Sequence, residues 1–209
     1  MLVQLLITIG FCCLSYFVQP FFEFQIEFWW VTLIVIAFMY VMVGLIMCTD
    51  SYRRHPHNLI FLVLFTLCFS YLISQVTSVY AYYYGGPLVL AAAALTLFMV
   101  LGLTLFAVFS RNDFNALIGA AIVLLFSFAG FGFLCIITFE PVLYQLYCAI
   151  AVSILGILLV IDTKMIIGGE RSIGISMDDY VLGSLILYID IMRIFIWILR
   201  LLAILSSRK

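Results

Sequence analysis

Two aspartates, Asp162 and Asp190, lie inside the last two apolar stretches of the chain, where almost every neighbouring residue is hydrophobic. A carboxylate within a lipid-spanning helix costs several kcal/mol unless it is paired, protonated or hydrated, so it marks a functional site by default. Two carboxyl groups that share a dry site do not ionise together at low cost, and such a pair can therefore hold a proton. After losing that proton, the pair offers oxygen ligands to a hard cation such as calcium.

The positions of the two aspartates predict that their carboxyl groups can meet. If the last helix begins near Tyr180, Asp190 lies about 15 Å deep, at about 1.5 Å per residue. Asp162 precedes the end of its own stretch near Ile167 by five residues, so it lies about 7–8 Å deep by the same rise. The two helices are consecutive and antiparallel, and the two depths differ by little more than one helical turn.

A purely structural interpretation competes with the interpretation of Asp162 and Asp190 as a proton-binding pair. On a helix, Asp190, Arg193, Trp197 and Arg200 fall at i, i+3, i+7 and i+10, which places them on one stripe. Asp190 can then form an ion pair with Arg193, one turn away, while Asp162 caps its helix or extends toward the membrane surface. The spacing does not separate the two interpretations. In both, a helix with three charges on one side turns that side inward, so we expect the last helix near the centre of a bundle.

Other residue types that bind metals or catalyse reactions give weaker patterns. His55 and His57 lie in a basic loop, where solvated side chains are the commoner finding. The cysteines lie within or beside apolar stretches, lack a CxxC spacing and predict neither zinc nor a disulfide framework: Cys12, Cys13, Cys48, Cys68, Cys135 and Cys148. The glycine-flanked contexts expected of an intramembrane aspartyl protease are missing. We expect neither an enzyme nor a resident cofactor, with calcium considered only as a permeant ion.

The composition indicates the environment in which these residues lie. Hydrophobic residues make up 67% of the 209, charged residues only 9%, and the mean hydropathy is +1.33. A soluble domain carries about a quarter charged residues, so this composition predicts an integral membrane protein whose main partner is the lipid bilayer. The net charge of -1 and the lack of a long basic patch argue against nucleic acid as a partner.

Seven apolar windows approach the length of about 20 residues that a transmembrane helix needs. They cover residues 2–18, 29–48, 59–79, 87–110, 116–138, 143–167 and 180–203. The connections are too short for an extramembrane domain. We therefore predict an all-α protein with a single multi-pass transmembrane domain over residues 1–209 and seven spans.

The loop charges predict how these spans are oriented. Basic residues occur in the second, fourth and sixth connections, namely Arg53, Arg54, Arg111 and Arg171. Because positive loops face the cytosol, the N-terminus is expected there too. Seven full spans place Arg208 and Lys209 on the opposite side, against that rule, whereas a re-entrant last segment leaves both ends in the cytosol. We favour seven spans.

The last fifty residues resemble the transmembrane Bax-inhibitor-motif family, which contains the Bax inhibitor and Lifeguard proteins, and the Lifeguard branch in particular. The segments that carry the resemblance are Asp162-Thr163, Asp178-Asp179-Tyr180, Leu187-Tyr188, Asp190-Ile191 and Leu199-Arg200. The loop RRHPHN and the segment SRNDF extend the similarity toward the N-terminus, so that it covers nearly the whole chain. Members of the family have a polar N-terminal tail that has no counterpart in this sequence.

This resemblance implies seven helices with the last near the centre, and a pH-sensitive calcium leak across an internal membrane. It also implies regulation of calcium homeostasis, suppression of apoptosis and contact with apoptosis regulators. Asp162 and Asp190 would be the pH-sensing pair that gates the leak, and calcium would bind there if anywhere. Arg53 or Arg54 would latch the pair. The endoplasmic reticulum and the Golgi are both compatible locations, since no retrieval signal is present.

Two positions depart from the family pattern. Phe69 stands where relatives often have a glutamate in the third helix, and Arg193 stands where they usually have asparagine. A cation one turn from Asp190 favours the ionised carboxylate and repels calcium. These departures motivate an alternative function, a non-conducting membrane scaffold that modulates cell-death or receptor proteins through helix contacts.

Overall fold

The computed structural model describes residues 1–48, 57–109, 141–168 and 180–207, together with Leu124, Phe128 and Gly130. These parts of the chain form seven helices and contain no β-strand, so the predicted all-α class is confirmed. The helices are α1 Leu2–Phe17, α2 Gln19–Glu27, α3 Trp29–Cys48, α4 His57–Tyr84, α5 Gly86–Phe109, α6 Pro141–Gly168 and α7 Tyr180–Ser206. Apart from Leu124, Phe128 and Gly130, the predicted window 116–138 lies outside the described residues.

Most of the remaining windows agree with a helix to within a few residues, and α4 is the largest exception. The window ended at residue 79, but α4 continues through the aromatic run to Tyr84. Gly85 then stops the helix with a φ of 88°, while its N–H still donates to the carbonyl of Ala81. Such a left-handed residue is the common way to end a helix, and glycine adopts it without steric cost.

The short helix α2 was not predicted, because its proline and glutamates indicated a connection. Pro20 lies in the first turn of α2, where its missing N–H would have no helical partner in any case, so it does not interrupt the helix. The axis of α2 bends by 95° from that of α1 at Val18. The connection between the first two apolar windows is therefore helical.

Three described helices are long and apolar enough to cross a membrane, namely Leu59–Tyr84, Gly86–Phe109 and Val142–Ile167. The bent pair of α1 and α2 makes a fourth if it counts as one span. Together with the composition, these helices indicate an integral membrane protein. The count of seven spans and the central place of the last helix stay predictions.

The helices form two compact units. In the first unit, α1, α2 and α3 pack against α4, and α7 contributes residues 180–188. In the second unit, α5 packs against α6, and α7 contributes residues 189–206.

Polar side chains join α1 to α4 in the first unit. The side chain of Gln4 donates to Thr66 at 3.2 Å, and the hydroxyls of Thr8 and Ser70 lie 2.9 Å apart. Both partners advance by four residues, so α1 and α4 run parallel. Buried hydroxyls and amides commonly hold membrane helices together in this way.

Candidate functional site

The second unit brings together the two aspartates that the sequence singled out. Asp162 lies on α6, Asp190 lies on α7, and their carboxyl groups lie close enough for a side-chain hydrogen bond. Asp190 is only 5% exposed, whereas Asp162 is half-buried. The carboxyl pair is therefore enclosed at Asp190 and more accessible at Asp162.

A hydrogen bond between two carboxyl groups needs a proton, because an ionised carboxylate only accepts. Two carboxyl groups at this distance can share one proton. Oδ2 of Asp190 is buried and has no hydrogen-bond partner among the described residues. Buried polar atoms without a partner are rare enough to need a reason.

The pair by itself does not make a closed calcium site. Calcium takes six to eight oxygen ligands, and the described parts of the chain contain no group of three or more His, Cys, Asp or Glu side chains placed to hold a metal. Two carboxyl groups can instead attract a cation in passage and respond to its charge.

Arg193, the rival partner of Asp190, lies beside the pair and not within it. Its side chain is exposed, while that of Asp190 is buried. Arg193 acts on Asp190 by charge attraction, and Asp162 influences the same carboxyl more strongly through both a hydrogen bond and its charge. Of the two interpretations that the spacing left open, this geometry favours the carboxyl pair.

Arg200 belongs to a separate aromatic cluster. Its Cζ atom lies 5.2 Å from the centroid of the Trp197 ring, a cation–π distance. Tyr144 of α6 is close enough to Arg200 for a side-chain hydrogen bond, and Tyr147 packs edge-to-face on Trp197 at 5.5 Å between ring centroids. Arg200 also lies ten residues, about 15 Å, beyond Asp190 along the helix. The structure therefore does not bring Arg200 to the carboxyl pair.

Several residues named from the sequence are not at the pair or lie outside the described ranges. The hydroxyl of Thr163, next to Asp162, donates to the carbonyl of Leu159 at 2.7 Å, so its proton is used within α6. The predicted latch residues Arg53 and Arg54 lie outside the described residues, as do Asp178 and Asp179.

Sequence reasoning missed a second buried polar group, in the first unit. Tyr188 is fully buried, and its hydroxyl lies 2.7 Å from that of Thr8 and 3.3 Å from that of Ser70. A signal was present, because Gln4 and Thr8 on α1 repeat the four-residue spacing of Thr66 and Ser70 on α4. Each residue alone is unremarkable in a membrane helix, and only the matched spacing on two helices distinguishes the group.

Comparison with known proteins confirms the family resemblance over nearly the whole chain. The family described as "Inhibitor of apoptosis-promoting Bax1" (Bax1-I) matches residues 1–207. The chain is similar to Protein lifeguard 3 of Homo sapiens, at 29% identity over 207 residues, and of Mus musculus, at 27% over 206. These matches cover 96% and 95% of the chain but 64% of each relative, so the chain spans just under two thirds of their length. Protein LIFEGUARD 1 of Arabidopsis thaliana is 29% identical over 221 residues, covering 98% of the chain and 84% of the relative.

Proposed function

Because this chain belongs to the family of inhibitors of apoptosis-promoting Bax1, we propose that it suppresses apoptosis from an internal membrane by letting calcium leak from the lumen. The endoplasmic reticulum and the Golgi are the membranes proposed. The family consists of membrane regulators that are not known as enzymes. The observation that carries the proposal is the close approach of the Asp162 and Asp190 carboxyl groups inside the second unit.

The carboxyl pair supplies a pH response through its charge. With one shared proton the pair carries a charge of about -1, and without the proton it carries about -2. Without the proton, the two carboxylates repel each other and attract a cation. With the shared proton, the pair holds α6 and α7 together at this point. Since each buried charge costs several kcal/mol without a partner, the two protonation states favour different arrangements of the two helices.

Calcium is the proposed cargo and not a bound cofactor. The free Oδ2 atom of Asp190 supports this part of the proposal, because it offers an acceptor that no described protein group uses. A hard divalent cation prefers such oxygen ligands. A site with only two carboxyl groups also binds calcium weakly enough for the ion to leave again, which conduction requires.

The proposal is tested with purified protein in liposomes that contain a calcium-sensitive dye. We expect the protein to raise the rate of calcium entry above that of protein-free liposomes, and the rate to differ several-fold between about pH 6 and pH 8. Liposomes that contain the protein but take up calcium no faster than empty ones would contradict a leak.

The Arg193→Asn variant tests the role of the charge next to the pair. Removing the cation withdraws an attraction that favours ionised Asp190, so the pair keeps its proton to a higher pH. We expect the midpoint of the flux profile to move to higher pH by about one unit or less, because the charge of Arg193 is the weakest of the influences on Asp190. Since Arg193 is exposed, its loss leaves packing unchanged. A midpoint that stays in place or moves to lower pH would show that Arg193 does not act on the pair in this way.

The non-conducting scaffold remains the second candidate, and Phe69 favours it. The ring of Phe69 packs edge-to-face on Tyr188 at 5.5 Å and stacks on Phe65 at 5.7 Å, so this position contributes packing and no carboxylate. A scaffold would show no calcium flux in liposomes, yet it would protect cells from death stimuli even after either aspartate is neutralised. Loss of protection in Asp162→Asn or Asp190→Asn cells would count against the scaffold.

A further inference from the structure

Arg200 places a positive charge on a half-buried position of α7, within the second unit. The acidic residues of this unit that the structure describes are Asp162 and Asp190, which lie together. Asp190 is ten residues from Arg200 on the same helix, a rise of about 15 Å. Neither carboxyl group is therefore within reach of the guanidinium. Since a cation in a membrane protein normally has an anionic partner or extends to the membrane surface, Arg200 is suited to an anionic ligand.

Aromatic rings hold the Arg200 guanidinium in a defined position. It lies over the Trp197 ring, with Cζ 5.2 Å from the ring centroid. The Trp197 ring in turn contacts Tyr147 and Phe128 edge-to-face, at 5.5 and 6.1 Å between centroids. The five N–H donors of a guanidinium lie in one plane around its edge. The donors that do not face the ring therefore stay available for hydrogen bonds.

Tyr144 of α6 supplies a second polar group beside Arg200. Its hydroxyl is close enough to Arg200 for a side-chain hydrogen bond, and its side chain is 40% exposed. Arginine has no acceptor atom, so in such a bond the guanidinium donates and the Tyr144 oxygen accepts. The hydroxyl also lies within reach of the Cys148 thiol, whose sulfur is only a weak acceptor. A phosphate oxygen is a stronger acceptor, so it can receive protons from both Arg200 and Tyr144.

Both residues lie near the same end of this antiparallel helix pair. Tyr144 follows the start of α6 by three residues, about 4–5 Å, and Arg200 precedes the end of α7 by six residues, about 9 Å. The apolar span Val142–Ile167 makes up most of α6, so its start marks one surface of the hydrocarbon layer. Tyrosine and tryptophan rings are enriched at this boundary with the headgroups. The phosphate found at this depth is that of a phospholipid.

We propose that Arg200, Tyr144 and Trp197 form a binding site for the phosphate of an anionic phospholipid. The guanidinium and the tyrosine hydroxyl bind the phosphate oxygens, and the indole ring holds the guanidinium in place. Basic pockets between membrane helices bind anionic headgroups in this way. Arg193 does not share the arrangement, because its side chain is exposed and no ring of the described residues lies over it. The site does not depend on the proposed calcium leak.

The experiment measures how strongly phospholipids with bromine on the upper acyl chain quench the fluorescence of Trp197. Trp29 and Trp30 are first replaced by phenylalanine, and since they are 65% and 51% exposed, the fold is expected to persist. The protein is reconstituted in equal mixtures of phosphatidylcholine and phosphatidylglycerol, with one of the two brominated at a time. Both lipids contain a phosphodiester, but only phosphatidylglycerol has a net negative charge. We expect about fivefold preference for phosphatidylglycerol at Trp197.

Two matched variants assign this preference to the site. Arg200→Gln is expected to lower it to about one, whereas Arg193→Gln removes the same charge from the same helix and is expected to keep it. A protein with Trp197→Phe that retains Trp29 and Trp30 reports on lipid around the first unit, where we expect no preference. Equal quenching of Trp197 by the two lipids, or an unchanged preference in Arg200→Gln, would overturn the site.

Inorganic phosphate distinguishes a lipid headgroup from a soluble anion. We expect the preference at Trp197 to be the same with and without inorganic phosphate at constant ionic strength, because a bound lipid is also held by its acyl chains. A preference that inorganic phosphate abolishes would show that the site takes soluble phosphate, and would overturn the assignment to a phospholipid.

Discussion

The Asp190→Asn variant is expected to lose the pH dependence of calcium flux between about pH 6 and pH 8. Asparagine has nearly the same shape as aspartic acid, but it cannot ionise, and so the pair no longer changes its charge in this range. The amide still donates a hydrogen bond to Asp162, which replaces the shared proton and keeps the helices in contact. Because Asp190 is buried and its uncompensated charge is costly, we expect the variant to fold at least as stably as the wild type.

The matched control for this variant is Glu23→Gln, which makes the same change from carboxylate to amide on the exposed face of α2. We expect its flux profile to coincide with that of the wild type. Flux is measured with equal amounts of folded protein, as judged by gel filtration before reconstitution. A wild-type pH response in Asp190→Asn would mean that another group senses the proton.

The Gly156→Leu variant is expected to destabilise the second unit strongly. A Cβ atom at Gly156 of α6 would lie 2.8 Å from Cε of Met99 and 3.0 Å from Cδ1 of Leu103, both on α5. Close helix contacts in membranes depend on small residues at such positions. A whole isobutyl group cannot fit there unless the helices separate, and we expect a loss of about 3 kcal/mol or more, since even single added methylenes cost about 1–3 kcal/mol in packed cores.

Two further glycine variants make this prediction specific. Gly102→Leu adds the same side chain to α5 where nothing lies within 4 Å, so it is expected to leave stability almost unchanged. Gly156→Ala meets only the ends of two flexible side chains, and its gain in helix propensity of about 1 kcal/mol offsets their shift. Thermal unfolding in detergent is the measurement. Similar melting temperatures for Gly156→Leu and Gly102→Leu would show that α5 and α6 do not pack closely at Gly156.

Sequence patterns predicted most helix positions because a run of apolar residues of membrane length has few alternatives to a helix in lipid. They failed where polar residues are compatible with helix as well as with loop. Pro20 and the two glutamates of α2 indicated a connection, yet they occupy a helix that is bent by 95° from α1. The end of α4 was placed too early because tyrosines suit both the membrane interface and a continuing helix.

The sequence also predicted part of the site. Helical rise placed Asp162 and Asp190 at similar depths, and the structure brings their carboxyl groups within reach of a hydrogen bond. Depth does not give the rotation of a helix about its axis, so spacing alone could not choose between Asp162 and Arg193. Helix rotation follows from contacts between residues far apart in the chain, such as that of Tyr188 with Thr8 in the first unit, and such contacts leave no local pattern.

The roles of the two aspartates in gating are predictions. The Asp162→Asn variant, at the partner of Asp190, tests them most directly. Since a shared proton belongs to both carboxyl groups, Asp162→Asn must reproduce the effect of Asp190→Asn, although Asp162 is the more exposed of the two. The decisive measurement is calcium flux into liposomes across pH 6 to 8 for the wild type, Asp162→Asn, Asp190→Asn and the double variant. The account predicts a pH-dependent wild type and three flat profiles, with no further loss in the double variant. A wild-type profile in Asp162→Asn would contradict it.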